Sequence, residues 1–258
     1  MLVVISPAKA LNLDPVDVSH TDAAMQIDAN RLAKTMRNQS LTKLKALMSL
    51  SDSLARLNRD RFQDYQTEPG PDVLHPAAFA FDGDTYRGLE TRTLSPDDLR
   101  WAQDHLRILS GLYGVLRPLD GIQAYRLEMG SRLKTRRGSN LYDYWGDQIA
   151  KSLVADAKAS NTDVIVNCAS EEYFKAANTP ALKLRLVQPV FMEEKAGTPK
   201  IVSFFAKQAR GAMARFIVQN RVTDIDTLRS FASGGYQFDP ELSEGDRLVF
   251  VRPYPDPA

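Results

Sequence analysis

Residues 109–120 read LSGLYGVLRPLD, and the two glycines in this string are the positions best suited to holding a polyanion. Without Cβ atoms, Gly111 and Gly114 can take positive φ and let a phosphate approach main-chain amides. A helix starting beyond them would turn its free N–H groups to the same ligand. Leu112 and Tyr113 separate the glycines, and Arg117 follows with a guanidinium suited to phosphate. The same residues serve equally as a helix C-cap and a tight corner. A second basic feature is the string FFAKQARGAMARFIVQNR, residues 204–221. Phe205, Ala209, Ala212, Met213, Phe216 and Ile217 trace an apolar helical face, and Lys207, Arg210 and Arg221 fall off it, where they would line one wall of a groove.

Other residues suit small-molecule chemistry. Ser6-x-x-Lys9 has the spacing of a serine nucleophile one helical turn from an activating lysine, provided the pair begins a helix. No matching second signature accompanies it, so Lys9 reads better as an anchor for an anion. Polar side chains follow two further strand-like runs: Asp82, Asp84 and Tyr86 after one, and Asn167, Ser170, Glu171 and Tyr173 after another. Open sheets bind ligands at such ends. Alternatively, Ser170 caps a helix whose first turn carries Glu171 and Glu172 to complement its dipole. His20, His75 and His105 are isolated, and neither paired cysteines, an HExxH string nor a nucleotide-binding glycine loop occurs. No metal and no cofactor is expected, and Cys168, in an apolar run, reads as a small buried thiol.

These groups need elements to position them. Leu2 to Ser6 reads as a buried opening strand ended by Pro7, and residues 22–62 carry helical spacing in several pieces, with Ser51 or Ser53 as a cap. Thr67 to Pro76 is a proline-bearing loop. Ser95-Pro96-Asp97-Asp98 caps a helix that Leu99, Ala102, Leu106 and Leu109 extend into the glycine turn. Phe79 to Leu89 and Tyr125 to Met129 read as strand-like, and Asn140 to about Ala157 as one amphipathic helix. Val164 to Ala169, Leu182 to Phe191, Lys200 to Phe205 and Arg247 to Val251 read as strands; a long helix to about Asn220 and a short one over Asp224 to Phe231 complete the pattern. Strands and helices mix without strict alternation. The expected fold is therefore mixed α/β (α+β), one domain over residues 1–258 with a central sheet surrounded by helices.

The chain has 258 residues, 43% of them hydrophobic, with a net charge of +1, which excludes the whole-chain basic footprint of a dedicated nucleic-acid binder. Any polyanion site must be local. Charge is uneven: residues 200–221 hold five bases and no acid, residues 126–137 five bases against Glu128, and residues 31–61 eight bases against Asp52 and Asp60. Such runs are also ordinary solvated faces. No apolar run approaches the roughly 18 residues of a membrane span, and neither a secretory leader nor a cysteine pair is visible, so a cytoplasmic setting is expected.

Taken together and in order, ISPAK (5–9), LSGLYGVLRPLD, YRLEMG (125–130), LYDYWGD (141–147), SEEYF (170–174) and the 204–221 helix resemble the bacterial YaaA family of peroxide stress response proteins, also called UPF0246. The resemblance runs from Met1 to about Tyr254. It implies a cytoplasmic protein that limits oxidative damage, associated with lowering free intracellular iron. It also implies a single mixed α/β fold with a basic cleft, a helix-hairpin-helix-like element and non-specific DNA binding. Carried to this chain, the hairpin maps to Leu109 through Arg117, and the groove to Lys9, Arg126, Lys207 and Arg210. Cys168 stands where the family string commonly has an aliphatic residue, which fits a buried thiol. The leading expectation is a non-enzymatic, monomeric DNA-binding protein. The alternative is an enzyme acting on a nucleotide-like or phosphorylated small molecule in the same cleft, using Lys9 with Ser6, Glu171 or Tyr173.

Overall fold

The computed structural model describes residues 1–255. The uninterrupted apolar run LVVI forms β1 (Leu2–Ile5), buried on both faces as a central parallel strand requires. It is followed by a short β2 (Ala10–Leu11) and by α1 (Gln26–Arg37), α2 (Leu41–Met48) and α3 (Asp52–Asp64). Then come β3 (His75–Pro76), α4 (Ala77–Ala80), β4 (Phe81–Asp82), α5 (Asp84–Leu89), α6 (Pro96–His105), β5 (Leu106–Ser110), β6 (Gly114–Leu116) and β7 (Gly121–Ile122). The second half holds α7 (Leu141–Trp145), α8 (Gln148–Ala159), β8 (Val164–Cys168), α9 (Glu171–Phe174), β9 (Arg185–Lys195), β10 (Thr198–Lys200), α10 (Ser203–Gln219), α11 (Ile225–Leu228), β11 (Gln237–Glu244) and β12 (Arg247–Pro253).

Eight of these strands make one mixed sheet, ordered β11-β12-β9-β8-β1-β5-β6 with β10 folded back on β9. The four pairings from β5 through β1, β8 and β9 to β12 are parallel, and the two ends of the sheet and β10 are antiparallel. In this register Ile5 lies between Ile108 and Cys168. The chain leaves β1 for β5 on one side and later fills β8 on the other, so the direction of winding reverses at the C-terminal end of β1, the place where open sheets form a crevice. Helices enclose the sheet, and one continuous core makes a single mixed α/β domain.

Several elements differ from the sequence reading. Ser95 does cap α6 with a full capping box, but the helix stops at His105 and the chain continues as β5. Every residue of β5 is buried, so apolar side chains fall at helical spacings by coincidence. LSGLYGVL is consequently a β-hairpin, not a turn between helices, and its tip is interior. Gly111, Leu112, Tyr113 and Gly114 are all buried. A Cβ on Gly111 would meet the Leu127 carbonyl oxygen at 2.3 Å, and the indole of Trp145 donates to the Gly111 carbonyl. Gly114, at φ +68°, is pressed by Met25 and Trp145. These glycines are required by packing. Phe79 to Leu89 is mostly helical, in α4 and α5, and Tyr125 to Met129 forms no strand. Residues 200–205 end a hairpin and start α10, and the 140–157 helix breaks at Gly146 (φ +47°) into α7 and α8.

Candidate functional site

The residues after β1 and β8 are clipped together at their first polar side chains. The Ser6 hydroxyl accepts from the Ser170 amide at 2.8 Å and donates to the Ser170 hydroxyl at 3.3 Å, and the Ser6 carbonyl accepts from the Tyr86 phenol. Ser6 to Ala8 is loop rather than helix. The helical turn that a Ser6-x-x-Lys9 nucleophile pair needs is therefore absent. Lys9 instead reaches Glu128, with Nζ 3.4 Å from its carboxylate.

That carboxylate is shared. Arg126 donates to the same Glu128 oxygen through Nη2 at 2.8 Å and Nε at 3.1 Å. Beside this triad, Glu172 Oε1 accepts from the Gly130 amide at 2.8 Å. Lys9, Arg126, Glu128, Gly130, Ser131 and Glu172 line an open cavity of about 430 Å³ whose remaining wall is the turn Leu47-Met48-Ser49. Two serines build that wall. Ser40 caps α2 by accepting from the Lys43 amide, and Ser51 caps α3 by accepting from the Leu54 amide. Between them Ser49 takes the left-handed conformation at φ 51°, and the Leu50 amide closes on the Lys45 carbonyl. Two helices joined by a three-residue corner thus occur at 41–64, not at the glycine string.

One further cation stands at this corner, and others follow the cavity wall in sequence. Arg61, on α3, has its guanidinium pKa lowered by burial first and by the neighbouring Arg126 charge second. Arg132, Lys134 and Arg136, just past the cavity wall at Ser131, are exposed and form no ion pair among the described residues. By contrast Arg117 is occupied. Its Nε donates to the buried Asp120 at 3.0 Å and its Nη2 to the Asp22 carbonyl, and the Arg117 amide also donates to Asp120. Tyr173 is buried under the cavity, its phenol pKa raised well above the ordinary value by burial, with Tyr125, Glu172 and Glu128 adding to the effect.

The structure brings Lys9 and Arg126 together as expected, but not the α10 residues with them. Lys207 is exposed on α10 away from the cavity lining. Arg210 lines a different cavity together with Glu171. Gly111, Leu112, Tyr113 and Gly114 cannot offer amides to any phosphate chain, since they lie inside the protein. Ser49, Arg61 and Glu128 escaped the sequence reading as site residues, whereas Glu172 was marked by its place after a strand and does stand beside Lys9. Only the excess of bases over residues 31–61 pointed toward this segment, and it said nothing about which side chain would face Arg126.

Cys168 is fully buried beside Arg210, and burial pushes its thiol up to about 12 despite that nearby charge. A thiol so rarely ionised reacts slowly. Excess iodoacetamide at pH 8 is expected to leave Cys168 unmodified in native protein and to label it fully in denaturant, read by intact mass; fast native labelling would contradict the burial. Among the described residues, no three His, Cys, Asp or Glu side chains cluster as a metal would need, and no helix is long and apolar enough to cross a membrane.

Comparison with known proteins places the whole chain. A family model described as peroxide stress protein YaaA matches residues 1–242. A UPF0246 protein of Ruegeria pomeroyi is 65% identical over 254 residues, covering 98% of this chain and 99% of that protein. One from Roseobacter denitrificans is 62% identical over 257 residues, covering 99% of each.

Proposed function

Since the chain belongs to the YaaA family of peroxide stress proteins, we propose that it acts by binding DNA non-specifically through the phosphate backbone, shielding it while peroxide is present. The observation that carries this reading is the convergence of Lys9 and Arg126 with the α2–α3 corner in one open cavity, followed in the chain just past Ser131 by the exposed Arg132, Lys134 and Arg136, which form no ion pair among the described residues. A helix-corner-helix lays its turn against a sugar-phosphate chain through main-chain groups, and loose cations alongside release counterions without reading bases. Glu128 and Glu172 balance the charges of Lys9 and Arg126 in the cavity lining, so the exposed loop supplies most of the attraction. The family association with lowered free iron is part of the same proposal and rests on the resemblance.

The test is the salt dependence of duplex binding, followed by fluorescence anisotropy. Affinity is expected to fall linearly in a log–log plot against salt. Replacing Arg132, Lys134 and Arg136 together by alanine should flatten the slope by roughly 2 to 3 units, at about 0.9 for each phosphate no longer neutralised. Lys207→Ala should leave it unchanged. Binding indifferent to salt, or a triple variant with the parental slope, would rule the reading out, and a small-molecule enzyme would then be the better account of the cavity.

A further inference from the structure

Arg210 occupies a position that folding alone does not explain. It projects from α10, the long helix lying across β1, β8 and β9. Its Nε is buried and has no hydrogen-bond partner, and no carboxylate lies within ion-pair distance of it among the described residues. The buried neighbour that feels its charge is the Cys168 thiol, which is neutral. Two other deeply placed guanidinium groups are matched by carboxylates: Arg107 by Asp156 at 2.7 Å, and Arg252 by the fully buried Glu193 at 3.3 Å. A poorly hydrated cation without a counter-charge costs stability, and such a cost persists where the group has a ligand to meet.

The surroundings describe that ligand. Arg210 lines an open cavity of about 430 Å³ at the C-terminal end of β8, on the opposite flank of α9 from the Lys9 cavity: Glu172 of that helix lines one, and Glu171 the other. Asn167 and Gln188 stand in the wall, but their amides are already engaged. Asn167 Nδ2 donates to Gln188 Oε1 at 2.9 Å, and Asn167 Oδ1 accepts from the Ala169 amide at 2.9 Å. They form a settled polar floor and leave the part-buried Arg210 guanidinium with donors to spare. Lys175 adds a second cation at the wall, held over the Tyr142 ring, while Phe174 gives an apolar side. Glu171 faces the same space and disfavours an anion with several charged head groups.

We propose that this cavity is a binding site for a small molecule with a single oxyanion head, a carboxylate or a phosphate, gripped by the Arg210 guanidinium. It is separate from the DNA face and does not depend on it. The geometry suits the planar two-pronged contact of guanidinium with such a head.

Sodium phosphate and sodium acetate, each compared with sodium chloride at equal ionic strength, serve as the probes, and thermal melting of the full chain as the readout. One probe is expected to raise the melting temperature by about 3 °C at ten times its dissociation constant, and which one does so identifies the head group. The shift should vanish in Arg210→Met and survive in the Arg132/Lys134/Arg136 alanine variant, which separates this site from the DNA reading. In chloride, Arg210→Met should melt no lower than the parent, since it removes an unmatched charge. Equal shifts in parent and Arg210→Met, or no shift with either probe, would overturn the proposal. Should Arg210→Met fail to fold, a parental crystal soaked in the active probe decides it: the anion against Arg210 supports the site, and the anion bound only elsewhere refutes it.

Discussion

Gly211→Ala is expected to destabilise the protein by about 3 kcal/mol or more, a fall of roughly 6 to 12 °C in melting temperature. Helix propensity alone gives the opposite sign, because alanine in a helix interior is favoured over glycine by about 1 kcal/mol. Packing decides the outcome. A Cβ on Gly211 would lie 1.8 Å from the Thr85 carbonyl oxygen and 2.9 Å from the Leu89 nitrogen, while one on Gly88 would lie 1.9 Å from the Gln208 carbonyl oxygen. The contact is reciprocal, backbone of α5 against backbone of α10, so no side chain can rotate away. Arg215 then ties the C-terminal end of α5 by donating to the Leu89 and Glu90 carbonyls at 3.0 Å. Gly88→Ala should behave like Gly211→Ala. Gly70→Ala should be neutral, since open space surrounds that position and its φ of −69° suits any residue. Circular dichroism melting of the three variants checks this, and a Gly211→Ala protein as stable as the parent would mean that α5 and α10 do not cross so closely.

That crossing also shows where sequence reading reached its limit. The apolar face of α10 was legible, because its period follows from the helix itself. Gly211 falls in the same string and carried no visible signal, since its partner Gly88 is 123 positions away and only the fold sets them together. The parallel strands β1 and β8 were legible for the complementary reason: burial on both faces demands unbroken apolar runs, and both have them. The same property misled at β5, where continuous burial placed leucines at spacings that a helix would also produce. A hairpin and a helical corner were thereby exchanged. The glycine string that looked like a phosphate turn is a buried strand-to-strand turn, and the corner with free surface lies at Ser49, a residue whose left-handed backbone its type did not announce.

The candidate site was half legible on similar grounds. Lys9 and Arg126 were marked by their places after a strand and within a basic stretch, and they do meet. Their meeting point is Glu128, an acid that charge counting treated as the exception within that stretch. Arg210 read as one wall of a polyanion groove because it falls off the apolar face of its helix. Position on a helix face tells which side is apolar, not what the neighbouring strands leave uncovered, and here they leave a polar recess.

A steeper effect than any of these substitutions is expected from alkali. Tyr86, Tyr113, Tyr125, Tyr173 and Tyr236 are all buried, and burial is the leading cause that raises the pKa of each phenol. Three are also close to one another's rings or to Phe81, with Tyr113 and Tyr125 at 5.4 Å between centroids and Phe81 and Tyr86 at 5.5 Å. Their hydroxyls are committed: Tyr125 shares a hydrogen bond of 2.6 Å with Ser110, Tyr86 donates to the Ser6 carbonyl, and Tyr236 to the Glu193 carboxylate. In the unfolded chain these phenols lose protons near pH 10, whereas in the folded chain they keep them. The native state then binds more protons than the unfolded one, so their contribution to stability is complete below pH 10 and declines above it. Five groups titrating together weaken the fold by roughly 7 kcal/mol per pH unit in that range, at about 1.4 per group. The share of the tyrosinate absorbance at 295 nm that these five of the nine tyrosines contribute should therefore rise in one cooperative step that coincides with loss of the near-ultraviolet circular dichroism. Because Tyr173 lies under the cavity of Lys9 and Arg126, the DNA binding proposed for that cavity should disappear in the same step. Gradual phenol titration near pH 10 with the dichroism intact would mean that water reaches these rings in the folded protein, and the packing beneath the site would have to be redrawn.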